Sequence, residues 1–156
     1  MIADYLNDPK LPRIGNEYYL KKFTASDDSL TFNLLDTLTS RNDHFFPFFF
    51  SIFNGILIKS DGALSEVMGD YCFRIVSNYP NEIFVFFHYN KEYQKQYTSF
   101  LGEEFYFKQL GTSDLAMTYL QFYSYLKKKL NLKQKRMKMT FDEFDIQIKE
   151  SIKNMY

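Results

Sequence analysis

The sequence predicts an all-α fold on three observations. Apolar residues recur at spacings of three and four over most of the chain, the signature of one buried helix face. Pro47 and Pro80 stand where helices would begin, while Ser60-Asp61-Gly62 and Gly111 stand where they would break. Side chains able to cap a helix precede several of the apolar stripes. Together these predict about six to seven helices in antiparallel pairs, as a short solenoid-like (HEAT/TPR-like) array or an irregular helical bundle. The 33-residue interval from Pro47 to Pro80 matches the period of two-helix repeats.

At 156 residues the chain has the length of one domain, 1–156, with residues 1–15 as an irregular or briefly helical N-terminal arm punctuated by Pro9, Pro12 and Gly15. A first helix is expected near Asn16 to Phe23. Asp27 or Ser26 can cap the next, which carries Leu30, Leu34, Leu35 and Leu38 on one face. Pro47 disfavours helical geometry at Phe46 but suits a first helical position, so an aromatic helix should run from about Pro47 to Lys59. Phe48, Phe49, Phe50, Ile52, Phe53, Ile56 and Leu57 cover most of its circumference, which places it at the centre of the core. From Asp61 to Asn78 the residues Leu64, Val67, Met68, Tyr71, Cys72, Ile75 and Val76 form the strongest periodic stripe, closed by Pro80.

Residues 83–107 are ambiguous in period. Ile83 to Tyr89 is dense in strand-favouring types, whereas Tyr93, Tyr97, Phe100 and Leu101 return to helical spacing, and two helices with a break near Asn90 reconcile them. Gly111, Thr112 and Ser113 should open a helix with Leu115, Tyr119, Phe122, Tyr123, Leu126 and Leu130 on one side. After a basic loop at 131–139, Thr140 and Glu143 have the spacing of a capping box for a last helix striped by Phe141, Phe144, Ile148 and Ile152.

The run Asp61-Gly62-Ala63-Leu64-Ser65-Glu66 opening a helix, closed by Asn78-Tyr79-Pro80, resembles a pattern in uncharacterised helical bacterial proteins with HEAT-like helix pairs. The resemblance implies paired helices and no particular activity. Because some such proteins are exported, it also implies a periplasmic alternative to the cytoplasmic location that a lone Cys72 and an N-terminus without a visible signal peptide favour.

Composition narrows the chemistry. The core is built from 18 Phe and 13 Tyr with no Trp, and each ring buries a large area. The apolar run Phe45 to Ile58 is too short for a membrane span. Neither G-x-x-x-x-G-K-[ST] nor G-x-G-x-x-G occurs, so no phosphate-cradling loop and no cofactor is called for. His44 and His88 are the only histidines and have no spacing for a zinc site, and Gly111-Thr-Ser-Asp-Leu lacks the second glycine of a nucleophile elbow. Cys72 falls on an apolar helix face and reads as a small buried hydrophobe. These absences favour a non-enzymatic protein.

Charge supplies the surface signal. Residues 1–126 carry 10 Lys/Arg against 15 Asp/Glu, a net of −5, and residues 127–156 carry 9 against 4, a net of +5. Lys127, Lys128, Lys129, Lys133, Lys135, Arg136 and Lys138 place seven cations in twelve residues with no acid among them. The cluster is the candidate partner site. An acidic protein surface, in cis or in trans, fits it best; nucleic acid or an anionic membrane surface fits less well, since the net charge of the chain is zero. A protein-interaction module or a small bacterial antagonist of the immunity-protein type is the reading this favours, with oligomeric state left open. The alternative is a binder of an apolar or aromatic small molecule in a pocket drawn from Phe49, Phe53, Phe86, Phe87, His88 and Tyr123. An enzyme using Glu66, Asp70 or His88 is a third reading, set against the plain one in which Asp70 and Arg74 form an exposed i,i+4 pair.

Overall fold

A computed structural model describes residues 2–156. Among them are nine helices and no strand: α1 Ile2–Leu6, α2 Arg13–Tyr19, α3 Ser29–Thr39, α4 Phe46–Leu57, α5 Gly62–Asn78, α6 Pro80–Tyr89, α7 Lys91–Gln109, α8 Tyr119–Lys129 and α9 Lys135–Lys153. The all-α expectation is met with more helices than expected, because two short ones occupy the N-terminal stretch. The chain divides into two compact units, residues 1–67 and 68–156, and the division falls inside α5.

In the first unit, helix starts follow from local chemistry. The Asp28 carboxylate accepts the Thr31 amide at 2.7 Å, and this bond holds its carboxyl below the usual carboxylate range. Asp28, rather than Asp27 or Ser26, is the cap because its extended backbone directly precedes the first helical residue. Leu30 is consequently in the exposed first turn, and Thr31 joins Leu34, Leu35 and Leu38 on the buried face. Helix α4 starts one residue before Pro47 and ends two before Lys59. It buries Phe48, Phe49, Ile52, Phe53, Ile56 and Leu57, as its ring density predicts. Within residues 2–15 the chain is briefly helical, as α1 and the beginning of α2. Pro12 precedes α2, which begins three residues before Asn16; Tyr5 stacks on Phe48 at 5.8 Å, and His44 Nε2 meets Asp8 Oδ2 at 2.7 Å.

In the second unit, α6 and α7 are separated by Asn90 alone. Strand-favouring Ile83–Tyr89 is helical because its rings find partners across helices: Phe84 lies 4.9 Å from Phe144 and Phe87 lies 5.0 Å from Tyr97. The dominant packing joins α7 to α9. Lys91 meets Glu143, Gln94 meets Gln147, Ser99 meets Ser151 and Gln109 meets Tyr156, so contacts advance in the same direction along both helices. This pair, two helices apart in sequence, is parallel. Helix α8 makes the return run between them, its Tyr119 and Tyr123 meeting Asp145 and Phe141 in antiparallel order.

Two helix starts differ from expectation in this unit. Ser113 opens no helix, because its hydroxyl donates to the Glu104 carboxylate and accepts the Leu115 amide at 3.2 Å. The start falls instead at Thr118, whose hydroxyl and amide exchange hydrogen bonds with the Gln121 amide and side chain in a capping box. Thr140 and Glu143 do not form such a box. Helix α9 begins at Lys135, so Thr140 is a fully buried interior residue and Glu143 pairs with Lys91. The basic loop expected at 131–139 shrinks to the few residues before Lys135.

Candidate functional site

Helix α6 carries Phe84, Val85, His88 and Tyr89 at positions i, i+1, i+4 and i+5, one strip of its surface. Opposite this strip lie Gln134, Lys135, Arg136 and Met137 at the beginning of α9, and between them is a groove of about 630 Å³. The two helices meet in antiparallel order. Arg136 Nη1 donates to the Tyr89 hydroxyl at 2.8 Å, and His88 Nδ1 lies 3.3 Å from Thr140 Oγ1 one turn further along. Phe84 and Met137 form the buried floor, while Val85 (52% exposed) and Tyr89 (67% exposed) stand at the rim with Lys135 and Arg136.

The electrostatics of the groove are one-sided. None of its lining residues is acidic. The first turn of α9 carries no acid and no side-chain cap, so its backbone dipole and the cations of Lys135 and Arg136 have the same sign. All seven side chains of the basic stretch are exposed. Lys127 lies 5.9 Å above the Tyr123 ring and Lys129 lies 5.7 Å above Tyr125. Only Lys138 within the stretch has an acidic partner among the described residues, Asp142 at 2.7 Å, which raises the pKa of its ammonium. Lys128 and Lys133 project without an ion pair.

Comparison with protein-family models, curated proteins and solved structures finds no match.

Of the six aromatic and histidine positions expected to line a pocket, His88 lines the groove. Phe49, Phe53 and Phe87 are closed within packing at 2%, 0% and 0% exposure. Phe86 packs edge-on against Tyr93 at 5.2 Å, and Tyr123 packs against Phe141 at 5.1 Å. Val85 and Tyr89 also line the groove, and the signal for them in the sequence is the helical strip they share with His88.

Other candidate chemistry finds structural partners. Arg74 Nη2 meets Asp70 Oδ2 at 2.6 Å, forming the i,i+4 pair, with Glu66 exposed one turn before. Cys72 is fully buried, and burial pushes its thiol well above the ordinary range, which leaves it protonated and unreactive. No group of three or more His, Cys, Asp or Glu among the described residues is arranged to hold a metal ion. No helix among them is long and apolar enough to cross a membrane.

Proposed function

We propose that the protein is a non-enzymatic interaction module that docks onto an acidic protein surface through the cations of residues 127–138. The observation that carries this reading is that all seven are exposed while only Lys138 is neutralised by an acid. Charge held in that state raises association rates and selects partners of opposite sign. A small bacterial antagonist of a partner protein is the form of this function that fits the chain's size, and a cytoplasmic location fits its single buried thiol. The packing of α7 on α9 with α8 running back between them fits a short array of stacked helix pairs and an irregular bundle alike.

The reading as a binder of an apolar small molecule now rests on the α6–α9 groove, whose volume lies in the range of ligand pockets. The exposed rim and the surrounding cations favour a macromolecular partner instead. The test is affinity capture from the source cell at low and high salt, with wild type and with a variant in which all seven cations are neutralised. One stoichiometric acidic protein, held by wild type at low salt and lost from the variant, is the expected result. Identical capture by both proteins removes the reading, and recovery of RNA or anionic lipid reassigns the partner class.

A further inference from the structure

We propose that the α6–α9 groove is the anchor socket of this interface, seating one large apolar side chain of an acidic partner segment whose flanking carboxylates meet Lys135 and Arg136. The inference rests on the docking reading above and names the chemistry of the partner.

Three properties of the groove converge on that occupant. Its floor is apolar, with Phe84 and Met137 buried, and Val85 extends that apolar surface to the rim, so an inserted hydrocarbon or ring would be removed from water there. Its rim is cationic and contains no acid, so a segment carrying carboxylates beside its apolar residue is complementary, whereas a basic segment is repelled. The third property is the chemistry of the rim. Tyr89 is the most exposed ring of α6, and its hydroxyl accepts a hydrogen bond from Arg136. Tyr and Arg are residue types enriched where interfaces concentrate their binding energy.

Two other depressions among the described residues lack this combination. The depression lined by Asp8, Lys10, Asn42, His44 and Phe45 has its polar groups already engaged, His44 Nε2 lying 2.7 Å from Asp8 Oδ2. The groove along α7 and α9 at Thr98, Gln147 and Ser151 is crossed by hydrogen bonds between those helices.

A random peptide library displayed against the full chain tests the proposal. The enriched peptides are expected to share acidic residues on both sides of one large apolar residue. Replacing that residue by Ala in a selected peptide should weaken binding on the order of tenfold or more, the consequence of leaving a large apolar side chain unburied. Val85→Glu and Val85→Lys alter an exposed side chain, so both should keep the wild-type circular dichroism melt. Val85→Glu should weaken the selected peptide by a similar factor and Lys135→Glu should reduce its salt dependence. Amide shifts in the labelled wild-type protein should concentrate in residues 84–89 and 134–138. No enrichment, enrichment of neutral or basic peptides, or unchanged binding to both Val85 variants overturns the socket. Such a failure is distinct from failure of the docking reading, which is decided separately by capture with the seven-cation variant.

Discussion

Gly102 sits where α7 meets Ser151 of α9, and its substitution gives a prediction whose sign opposes helix propensity. A Cβ placed on Gly102 of α7 would lie 2.3 Å from Ser151 Oγ and 2.4 Å from Ser151 Cβ of α9, far inside van der Waals contact, and 3.3 Å from the Ile148 carbonyl oxygen. In an isolated helix, Gly→Ala would be stabilising by about 1 kcal/mol. Here the parallel α7–α9 pair must separate by roughly 1 Å, which sets the overpacking cost near the upper end of its usual range of about 1–3 kcal/mol. Gly102→Ala should therefore destabilise the protein by about 2 kcal/mol, or lower the Tm of the 156-residue chain by about 4–8 °C if it unfolds as a whole. Urea denaturation followed by tyrosine fluorescence and circular dichroism measures it. Ser151→Gly removes both offending atoms while leaving the Ile148 contact tolerable, so a double-mutant cycle should return a favourable coupling of about 3 kcal/mol, the whole overpacking cost. Gly69 is the control. Its added Cβ would lie 2.7 Å from Glu104 Cβ but also 2.8 Å from the Phe100 carbonyl oxygen, which no side-chain truncation moves. Gly69→Ala should remain destabilising in a Glu104→Gly background. A Gly102→Ala protein as stable as wild type, or one that Ser151→Gly fails to relieve, would refute the reasoning.

Alkaline titration reports the buried phenols. Tyr97 is pushed well above its ordinary value by burial, and Tyr119 is pushed up by burial and by its hydrogen bond to Asp145. Both phenols stay neutral in the folded state while an unfolded chain would ionise them, so their contribution is fully present below about pH 10 and is lost as pH rises beyond it. Ultraviolet absorbance of tyrosinate should show these two rings titrating only on unfolding, and Tyr119→Phe should remove one of them; their titration with the exposed tyrosines of the intact fold would contradict the burial. Thr118→Ala removes one half of the capping box at the start of α8 and should cost about 1 kcal/mol in the same urea assay, with Thr118→Ser close to wild type.

The candidate site was partly legible. The basic stretch from Lys127 to Lys138 is visible in sequence because charge without compensating acids is a local property, and the structure leaves all seven side chains exposed. The groove beside it was not. Its two walls, residues 84–89 and 134–137, are separated by the whole of α7 and α8, and nothing in either segment indicates that they face each other. The pocket expected from Phe49, Phe53 and Phe87 dissolves for a related reason: a ring in sequence carries no mark of whether other rings close around it.

Helix identity was determined by the sequence where period and punctuation agree. The α4 and α5 stripes, the stop at Asn78 before Pro80 and the break at Asn90 all follow from i, i+3, i+4 burial and from backbone restrictions that act within a few residues. Tertiary structure decided what depends on a distant partner. Thr140 has the spacing of a cap, yet the helix extends past it and its hydroxyl faces His88; Ser113 has the chemistry of a helix opener, yet its hydroxyl is taken by Glu104. The same holds for the parallel pairing of α7 with α9 and for the division of the chain within α5 without any glycine- or proline-rich linker. Local energies of about 1 kcal/mol choose a cap or a break, and the burial of many rings at once overrides them.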